Sequence, residues 1–165
     1  SANLALGKIP GQLEAEELII KAQQLENEFQ KNINSATELV KEYKYDSAEK
    51  RLIRVLELKP GYQPARELML EVYSGQMDEC HKSGDSGAVM DLASMILRAD
   101  PENEKAKQYR DRWKTSLVQL EEAQKLFNRK EYDLALELAN QVSKTIPGFS
   151  ESAELVSKIN KIIRF

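Results

Sequence analysis

Glycine and proline, the residues that interrupt helices most strongly, are absent from two long stretches of this chain. Neither occurs between Gly11 and Pro60 or between Pro101 and Pro147. They collect instead in a few short segments, which are Pro60-Gly61, Pro64, Gly84, Gly87, Pro101 and Pro147-Gly148. The uninterrupted stretches are rich in Leu, Glu, Lys, Gln and Ala, which favours helices, and no stretch alternates apolar and polar residues as a half-buried strand does. The sequence therefore predicts an all-α protein.

Apolar residues at spacings of three and four predict where the helices lie. In the first long stretch such residues share one helical face, and they are Leu18, Ala22, Leu25, Phe29, Ile33, Ala36 and Val40. Seven helices are expected, at about 12–43, 46–58, 64–82, 86–99, 102–129, 132–145 and 150–164. Their short connections predict that consecutive helices are antiparallel.

Composition narrows the possible functions. The 165 residues are 41% apolar and 31% charged, which allows one domain with a substantial core. A net charge of −3 disfavours a general nucleic-acid binder, and no apolar run approaches a membrane span. A single cysteine cannot form a disulfide within the chain, and one cysteine with one histidine supplies few ligands for a metal site and few groups for acid–base catalysis. We therefore expect that the protein has no cofactor and is not an enzyme. The start at Ser1-Ala2, without Met, predicts a part of a larger protein or assembly.

Three segments of the chain align on the prolines that end them. They read YDSAEKRLIRVLELKP, SGAVMDLASMILRADP and YDLALELANQVSKTIP. Small or apolar residues recur at matched distances before each proline, namely Ala48, Val89 and Ala135, then Leu52, Ala93 and Ala139, then Val55, Ile96 and Val142. Each segment also has a turn upstream, which predicts a repeated helix–turn–helix. We expect each closing proline to start the next helix, with Asp100 as the cap before Pro101.

These copies resemble the tetratricopeptide repeat, most clearly in YKYDSAEKRLIRVLELKP and KEYDLALELANQVSKTIP. The resemblance implies a right-handed stack of helix–turn–helix units at about 29–62, 70–103 and 116–149. A capping helix at 150–165 would complete a single domain over 12–165, after a flexible segment at 1–11. The prolines are 41 and 46 residues apart, whereas the family repeats every ~34 residues. The first helices of the second and third units are therefore lengthened. Their extra turns are expected to project from the array, where they either pack on each other or add to the binding surface.

In this family the first helices line a concave groove that holds a peptide or a partner's helix. The resemblance implies a groove formed by Thr37, Val40, Lys41, Glu71, Ser74, Asp78, His81, Lys82, Leu117, Leu120, Gln124, Phe127 and Asn128. Phe127 is the expected apolar anchor, unless a small rotation buries it together with Leu126. The Lys and Asn clamp by which some members grip chaperone tails is missing, because its positions hold Ile33, Thr37, Gly75, Leu117 and Glu121. The predicted function is a non-enzymatic scaffold or adaptor, located in the cytoplasm, whose partner is a protein.

Two alternative functions remain open at this stage. One is a nucleic-acid-associated helical repeat that uses a basic segment, 105–114, in which the cations are Lys105, Lys107, Arg110, Arg112 and Lys114. Glu102, Glu104 and Asp111 dilute that charge, and Trp113 also continues a buried stripe with Ala106 and Tyr109. The other alternative is a regulatory domain that senses a small ligand in the groove.

Two further motifs have both a functional and a structural interpretation. Asp78, Cys80 and His81 lie close together on one helix, but a metal site needs three or four protein ligands, so we expect Cys80 to be a core residue. The last helix, ESAELVSKINKIIRF, is amphipathic and basic. It is expected to cover the apolar face of the last repeat rather than to lie on a membrane.

Overall fold

The structure, a computed structural model, describes residues 10–164 of the chain. Within that range the chain forms seven α-helices and no β-strand. They are α1 (Pro10–Lys41), α2 (Tyr45–Leu58), α3 (Gln63–Ser83), α4 (Ser86–Ala99), α5 (Glu104–Asn128), α6 (Tyr132–Thr145) and α7 (Ser150–Ile163). The all-α prediction is confirmed, with every boundary within two residues of its expected place. Most of the segment predicted to be flexible, residues 1–9, lies outside the described range, as does Phe165, whereas Pro10 and Gly11 belong to α1.

Side-chain caps explain where two of the helices begin. The Asp85 carboxylate accepts a hydrogen bond from the backbone N–H of Ala88 at 3.0 Å and starts α4. Asn103 caps α5 in the same way, with its side-chain oxygen 3.1 Å from the backbone nitrogen of Ala106. The prediction that Asp100 caps this helix was wrong. Its carboxylate accepts from the backbone N–H of Glu102 and the side-chain amide of Asn103, so it orders the connection before α5 instead.

The described chain divides into two compact units, with the boundary between Met69 and Leu70. In the first unit, α1 and α2 pack along each other. The contact is made by small residues, because Ala36 and Ala48 are fully buried and let the two helix axes approach closely. At one end the Phe29 ring meets the edge of Tyr62, with ring centroids 5.0 Å apart. The Lys59 ammonium lies 4.1 Å from the centre of the Phe29 ring.

In the second unit, α5 is covered along both of its halves. Ala106 and Trp113, in its first half, belong to an apolar cluster with residues of α3 and α4. Ala123, in its second half, belongs to a cluster with residues of α6 and α7. The helices α3 and α5 are each continuous, as expected, and α3 passes through a buried Gly75. The first half of α5, which includes its predicted extra turns, contacts the second half of α3 through pairs such as Lys105 with Asp78 and Trp113 with His81.

Two glycines bring separate connections of the second unit into backbone contact. Gly84, which directly follows α3, has a φ of +78°, a conformation that L-residues with a side chain rarely adopt. A Cβ atom built on Gly84 would overlap the carbonyl oxygen of Gly148, in the connection between α6 and α7. A Cβ atom on Gly148 would in turn overlap the carbonyl oxygen of Lys82. Only glycine fits at these two positions without a backbone shift.

We expect Leu52→Ala to lower the free energy of unfolding by roughly 2–5 kcal/mol, because Leu52 is fully buried where α2 packs on α1. Ile53→Ala is the matched control, since Ile53 is 46% exposed. Ile53→Ala should lower the free energy of unfolding by less than about 1 kcal/mol. Denaturant melts followed by circular dichroism measure both changes. Equal losses in the two variants would contradict the observed orientation of α2.

Candidate functional site

A cluster of polar side chains lies where α3 meets α5 in the second unit, and we call it the α3–α5 seam. Its members are Ser74, Asp78 and His81 on α3, with Lys105, Tyr109 and Trp113 on α5. The Lys105 ammonium donates to the Asp78 carboxylate at 2.6 Å and to the Ser74 hydroxyl at 2.9 Å. The Tyr109 hydroxyl donates to the other oxygen of Asp78 at 2.8 Å. Both oxygens of this carboxylate therefore have partners within the seam.

His81, the only histidine of the chain, is held by two aromatic rings of α5. The indole Nε1–H of Trp113 donates to Nδ1 of His81 at 3.1 Å. The rings of Tyr109 and Trp113 approach the imidazole edge-on, with centroids 4.8 and 5.9 Å away. An indole N–H can only donate, so Nδ1 must be unprotonated and the neutral imidazole carries its proton on Nε2.

The environment of the seam shifts two proton equilibria. Burial, and then the positive charge of Arg112, lower the pKa of His81 below its ordinary 6.5, although Asp78 acts in the opposite direction. Burial and the hydrogen bond to Asp78 raise the pKa of the Tyr109 hydroxyl to about 12. At neutral pH the seam therefore holds a neutral imidazole and a neutral phenol beside one paired carboxylate.

The free energy of unfolding is expected to fall as the pH is lowered below about 6.5. Because the pKa of His81 is lower in the folded than in the unfolded chain, the unfolded chain binds more protons in this range. Protonation of Nδ1 also removes the acceptor of the Trp113 hydrogen bond. Urea melts between about pH 7.5 and pH 5.5 measure the effect. His81→Gln, which does not titrate, should flatten that profile, and an unchanged slope in this variant would contradict the assignment.

Three of the predicted groove residues, Ser74, Asp78 and His81, meet in the seam. Glu71 and Lys82, also on α3, are exposed. The predicted residues on α5 lie beyond the seam on one face of its second half, and they are Leu117, Leu120, Gln124, Phe127 and Asn128. Within this set, the Gln124 side chain donates to that of Asn128 at 3.4 Å. Of the predicted residues of the second unit, three therefore lie in the hydrogen-bonded seam and five lie on a separate face of α5, while Glu71 and Lys82 belong to neither group.

Phe127, the expected anchor, is half-buried rather than fully turned to solvent. It packs against the cluster formed by α5, α6 and α7, with its ring centroid 5.7 Å from that of Tyr132. Leu126 is partly buried against the same cluster. Leu120 is partly buried as well, whereas Leu117 is 37% exposed. The face on α5 therefore exposes Leu117 and only part of the Leu120 and Phe127 side chains.

The three predicted groove residues of the first unit have different environments. Val40 is only 6% exposed and belongs to the core, so assigning it to a ligand surface was wrong. Small neighbouring residues such as Ala36 allow α1 and α2 to pack closely, and this close packing buries the Val40 side chain. The Thr37 hydroxyl donates to the carbonyl of Ile33 one turn earlier. Lys41 is exposed and forms an ion pair with Glu38 at 2.7 Å.

Most cations of the basic segment 105–114 have carboxylate partners. Lys105 pairs with Asp78 at 2.6 Å, and Lys107 pairs with Glu102 at 2.9 Å and with Glu104 at 3.3 Å. Arg110 lies 3.0 Å from Asp111. Such pairing reduces the net charge that this segment presents to a phosphate backbone.

Cys80 is partly buried against the apolar cluster of α3, α4 and α5, in agreement with its expected core position. Among residues 10–164, no group of three or more potential metal-ligating side chains comes together.

The apolar face of α7 is buried through Leu155 and Ile159, where this helix packs on α6. None of the helices in the described range combines the length and the apolarity needed to span a membrane.

Sequence reasoning did not connect Tyr109 or Lys105 with Asp78. A usable signal was present, because Lys105 and Tyr109 are four residues apart, as are Ser74 and Asp78, and each pair shares one helical face. Which two faces meet depends on the packing of α3 on α5, and helical periodicity carries no information about that.

The chain was compared with protein-family models, with curated proteins and with solved structures, and none of the three comparisons found a match.

Proposed function

We propose that this chain is a cytoplasmic, non-enzymatic interaction module of the tetratricopeptide-like type, which binds a peptide or helix of a partner protein. The observation that supports it best is the face of α5 formed by Leu117, Leu120, Gln124, Phe127 and Asn128. It combines partly exposed apolar side chains with exposed amides. Protein interfaces favour that mixture of apolar contact area and hydrogen-bonding groups.

The groups of the α3–α5 seam are poorly suited to acid–base catalysis. A general acid or base should have a pKa near the working pH and a free path to a substrate. Here Nδ1 of His81 accepts from Trp113, and the pKa of Tyr109 is raised to about 12. Asp78 accepts from both Lys105 and Tyr109. These groups hold α3 and α5 together.

The proposal also includes the architecture that the resemblance implies, a right-handed stack of repeats closed by α7. Support comes from the matched residues Ala48, Val89 and Ala135, all fully buried. The burial of Leu155 and Ile159 on the inner face of α7 is what a capping helix requires.

Variants of two predicted groove residues, Phe127 on the face of α5 and Lys82 on α3, test the proposed function. The wild-type chain and a double variant, Phe127→Ala with Lys82→Glu, serve as baits in a native lysate, and captured proteins are compared by quantitative mass spectrometry. A partner captured by the wild type is then titrated by calorimetry, and we expect at least about tenfold weaker binding to the double variant.

The matched control is Leu134→Ala with Lys144→Glu, which changes the same types of side chain on α6, where Leu134 is 53% exposed. This control should bind normally. If Phe127→Ala fails to fold by circular dichroism, Leu117→Ala tests the same face at a more exposed position. Undiminished affinity in every folded variant on the face of α5 would refute the proposal.

A further inference from the structure

The segments 29–72 and 116–159 match at a constant offset of 87 residues. Fully buried residues coincide at this offset, namely Ala36 with Ala123, Ala48 with Ala135 and Val55 with Val142. The connections also match, since Pro60-Gly61-Tyr62 corresponds to Pro147-Gly148-Phe149. The second half of α1, with α2, is therefore equivalent to the second half of α5, with α6. The first half of α1 is then equivalent to the first half of α5.

The two equivalent first halves differ in what covers them. On α5, Ala106 and Trp113 are fully buried, in a cluster that includes Met77 of α3 and Val89 and Ile96 of α4. On α1, the residue equivalent to Ala106 is Ile19, and it is 56% exposed. A pair of helices thus buries a surface in the second unit whose counterpart in the first unit is open to solvent.

The open segment of α1 is strongly apolar. Its large exposed side chains are Leu13 at 47%, Leu18 at 67%, Ile19 at 56%, Ile20 at 53% and Leu25 at 42%. Leu18 and Leu25 continue the stripe that is buried farther along α1 at Phe29 and Ala36. Residues 13–25 span roughly 20 Å of helix, enough to contact a partner helix over three to four turns. An apolar surface of this kind on a folded protein is typical of an interaction site.

The charges of this segment indicate the chemistry of its partner. Where α3 covers α5, the cation Lys105 on α5 pairs with the carboxylate Asp78 on α3. The open segment of α1 is instead negatively charged, because it contains Glu14, Glu16 and Glu17 and only one cation, Lys21. Glu14, Glu17 and Lys21 lie with Leu18 around one shallow cleft. Lysine or arginine beside the apolar stripe of a covering helix would complement these carboxylates.

We propose that residues 13–25 of α1 dock a basic amphipathic helix of a partner protein, at the position equivalent to the one that α3 and α4 occupy on α5. Leu18 and Leu25 supply the apolar contact, and Glu14 and Glu17 flank it with negative charge. This docking surface is separate from the face of α5 in the proposed function, and neither depends on the other.

Two designed peptides of about 18 residues test the proposal with the full chain. Both carry leucine at helical spacings of three and four, and one has lysine where the other has glutamate. Fluorescence anisotropy of the labelled peptides measures their affinities. The lysine peptide should bind at least about tenfold more tightly than the glutamate peptide, because only the lysine peptide complements the charge of α1.

Variants locate the binding on α1. Leu18→Gln with Leu25→Gln removes the apolar stripe and keeps good helix formers, so it should weaken binding of the lysine peptide at least about tenfold. Glu14→Lys with Glu17→Lys should reverse the preference toward the glutamate peptide. The matched control is Val118→Gln with Leu134→Gln, at positions 61% and 53% exposed in the second unit, and it should bind as the wild type does.

Two results would overturn the proposal. Equal binding of the lysine peptide by the wild type and by both α1 variants would show general attraction to an acidic protein. Sedimentation equilibrium addresses the other possibility, occupation of this surface by a second copy of the chain. Self-association of the wild type at micromolar concentration that Leu18→Gln with Leu25→Gln abolishes would identify a second copy as the occupant, and it would refute the basic partner.

Discussion

Replacing Trp113 by alanine is expected to lower the free energy of unfolding by about 3–5 kcal/mol. The side chain is fully buried among residues of α3, α4 and α6, so its removal leaves a large cavity. Two directed interactions are lost with it, the hydrogen bond to His81 and an edge-on contact with Phe149 at 5.1 Å between ring centroids. Urea denaturation followed by circular dichroism measures the change, because the variant has no tryptophan left to report by fluorescence.

Trp113→Phe separates the packing of Trp113 from its hydrogen bond. Phenylalanine keeps an aromatic ring beside Phe149 but cannot donate a hydrogen bond to His81. Trp113→Phe should therefore lower the free energy of unfolding clearly less than Trp113→Ala does. In the wild type, burial of Trp113 predicts blue-shifted fluorescence that iodide quenches poorly. Red-shifted emission quenched freely in the native state would contradict this burial, as would an alanine variant as stable as the wild type.

Gly84→Ala is also expected to destabilise strongly, by about 2–5 kcal/mol. Two costs combine, about 1–2 kcal/mol for an L-residue at positive φ and about 1–3 kcal/mol for forcing apart packed groups. The overlap is with backbone of the Gly148 connection, which cannot turn aside as a flexible side chain can. Gly87→Ala is the control, because its new methyl group would be in ordinary contact with the Asp85 carboxylate at 3.6 Å. Urea melts should show little change for Gly87→Ala.

A second pair of variants tests the same backbone contact from its other side. Gly148 and Gly61 are equivalent by the 87-residue offset, but a Cβ atom on Gly148 overlaps the Lys82 carbonyl, whereas one on Gly61 meets no atom within 4 Å. Gly148→Ala should therefore destabilise, and Gly61→Ala should leave stability within about 0.5 kcal/mol of the wild type. Similar melts for the two variants would mean that the two connections do not touch in solution.

Local information was enough to predict the seven helices. Breaks at segments such as Pro60-Gly61 and Pro147-Gly148, together with apolar spacings of three and four, placed every boundary within two residues. The same patterns predicted burial of Ala48, Leu52 and Trp113, all of which are fully buried. These properties depend on neighbours within a few turns of the same helix, and periodicity records such neighbours directly.

The candidate site was predicted only in part, because its contacts join residues that are far apart in the chain. Asp78 was selected as a groove residue, but its partners Lys105 and Tyr109 are about thirty positions away on another helix. Val40 has the same spacing from its proline as Phe127 from its own, yet Val40 is buried and Phe127 is only half-buried. Side-chain size and the neighbouring helix decide between those outcomes.

The amino-acid order thus specified the helices, their apolar faces and the matched copies, since each follows from residues close together along the chain. Tertiary packing alone decided that α3 and α4 cover one half of α5 and that α6 and α7 pack on the other. It also decided that Gly84 meets Gly148 and that the first half of α1 keeps an exposed apolar surface. The physical reason is that burying an apolar stripe against any complementary surface lowers the free energy of the folded chain. Its pattern therefore shows that the stripe tends to be buried, and only the fold shows which surface, if any, covers it.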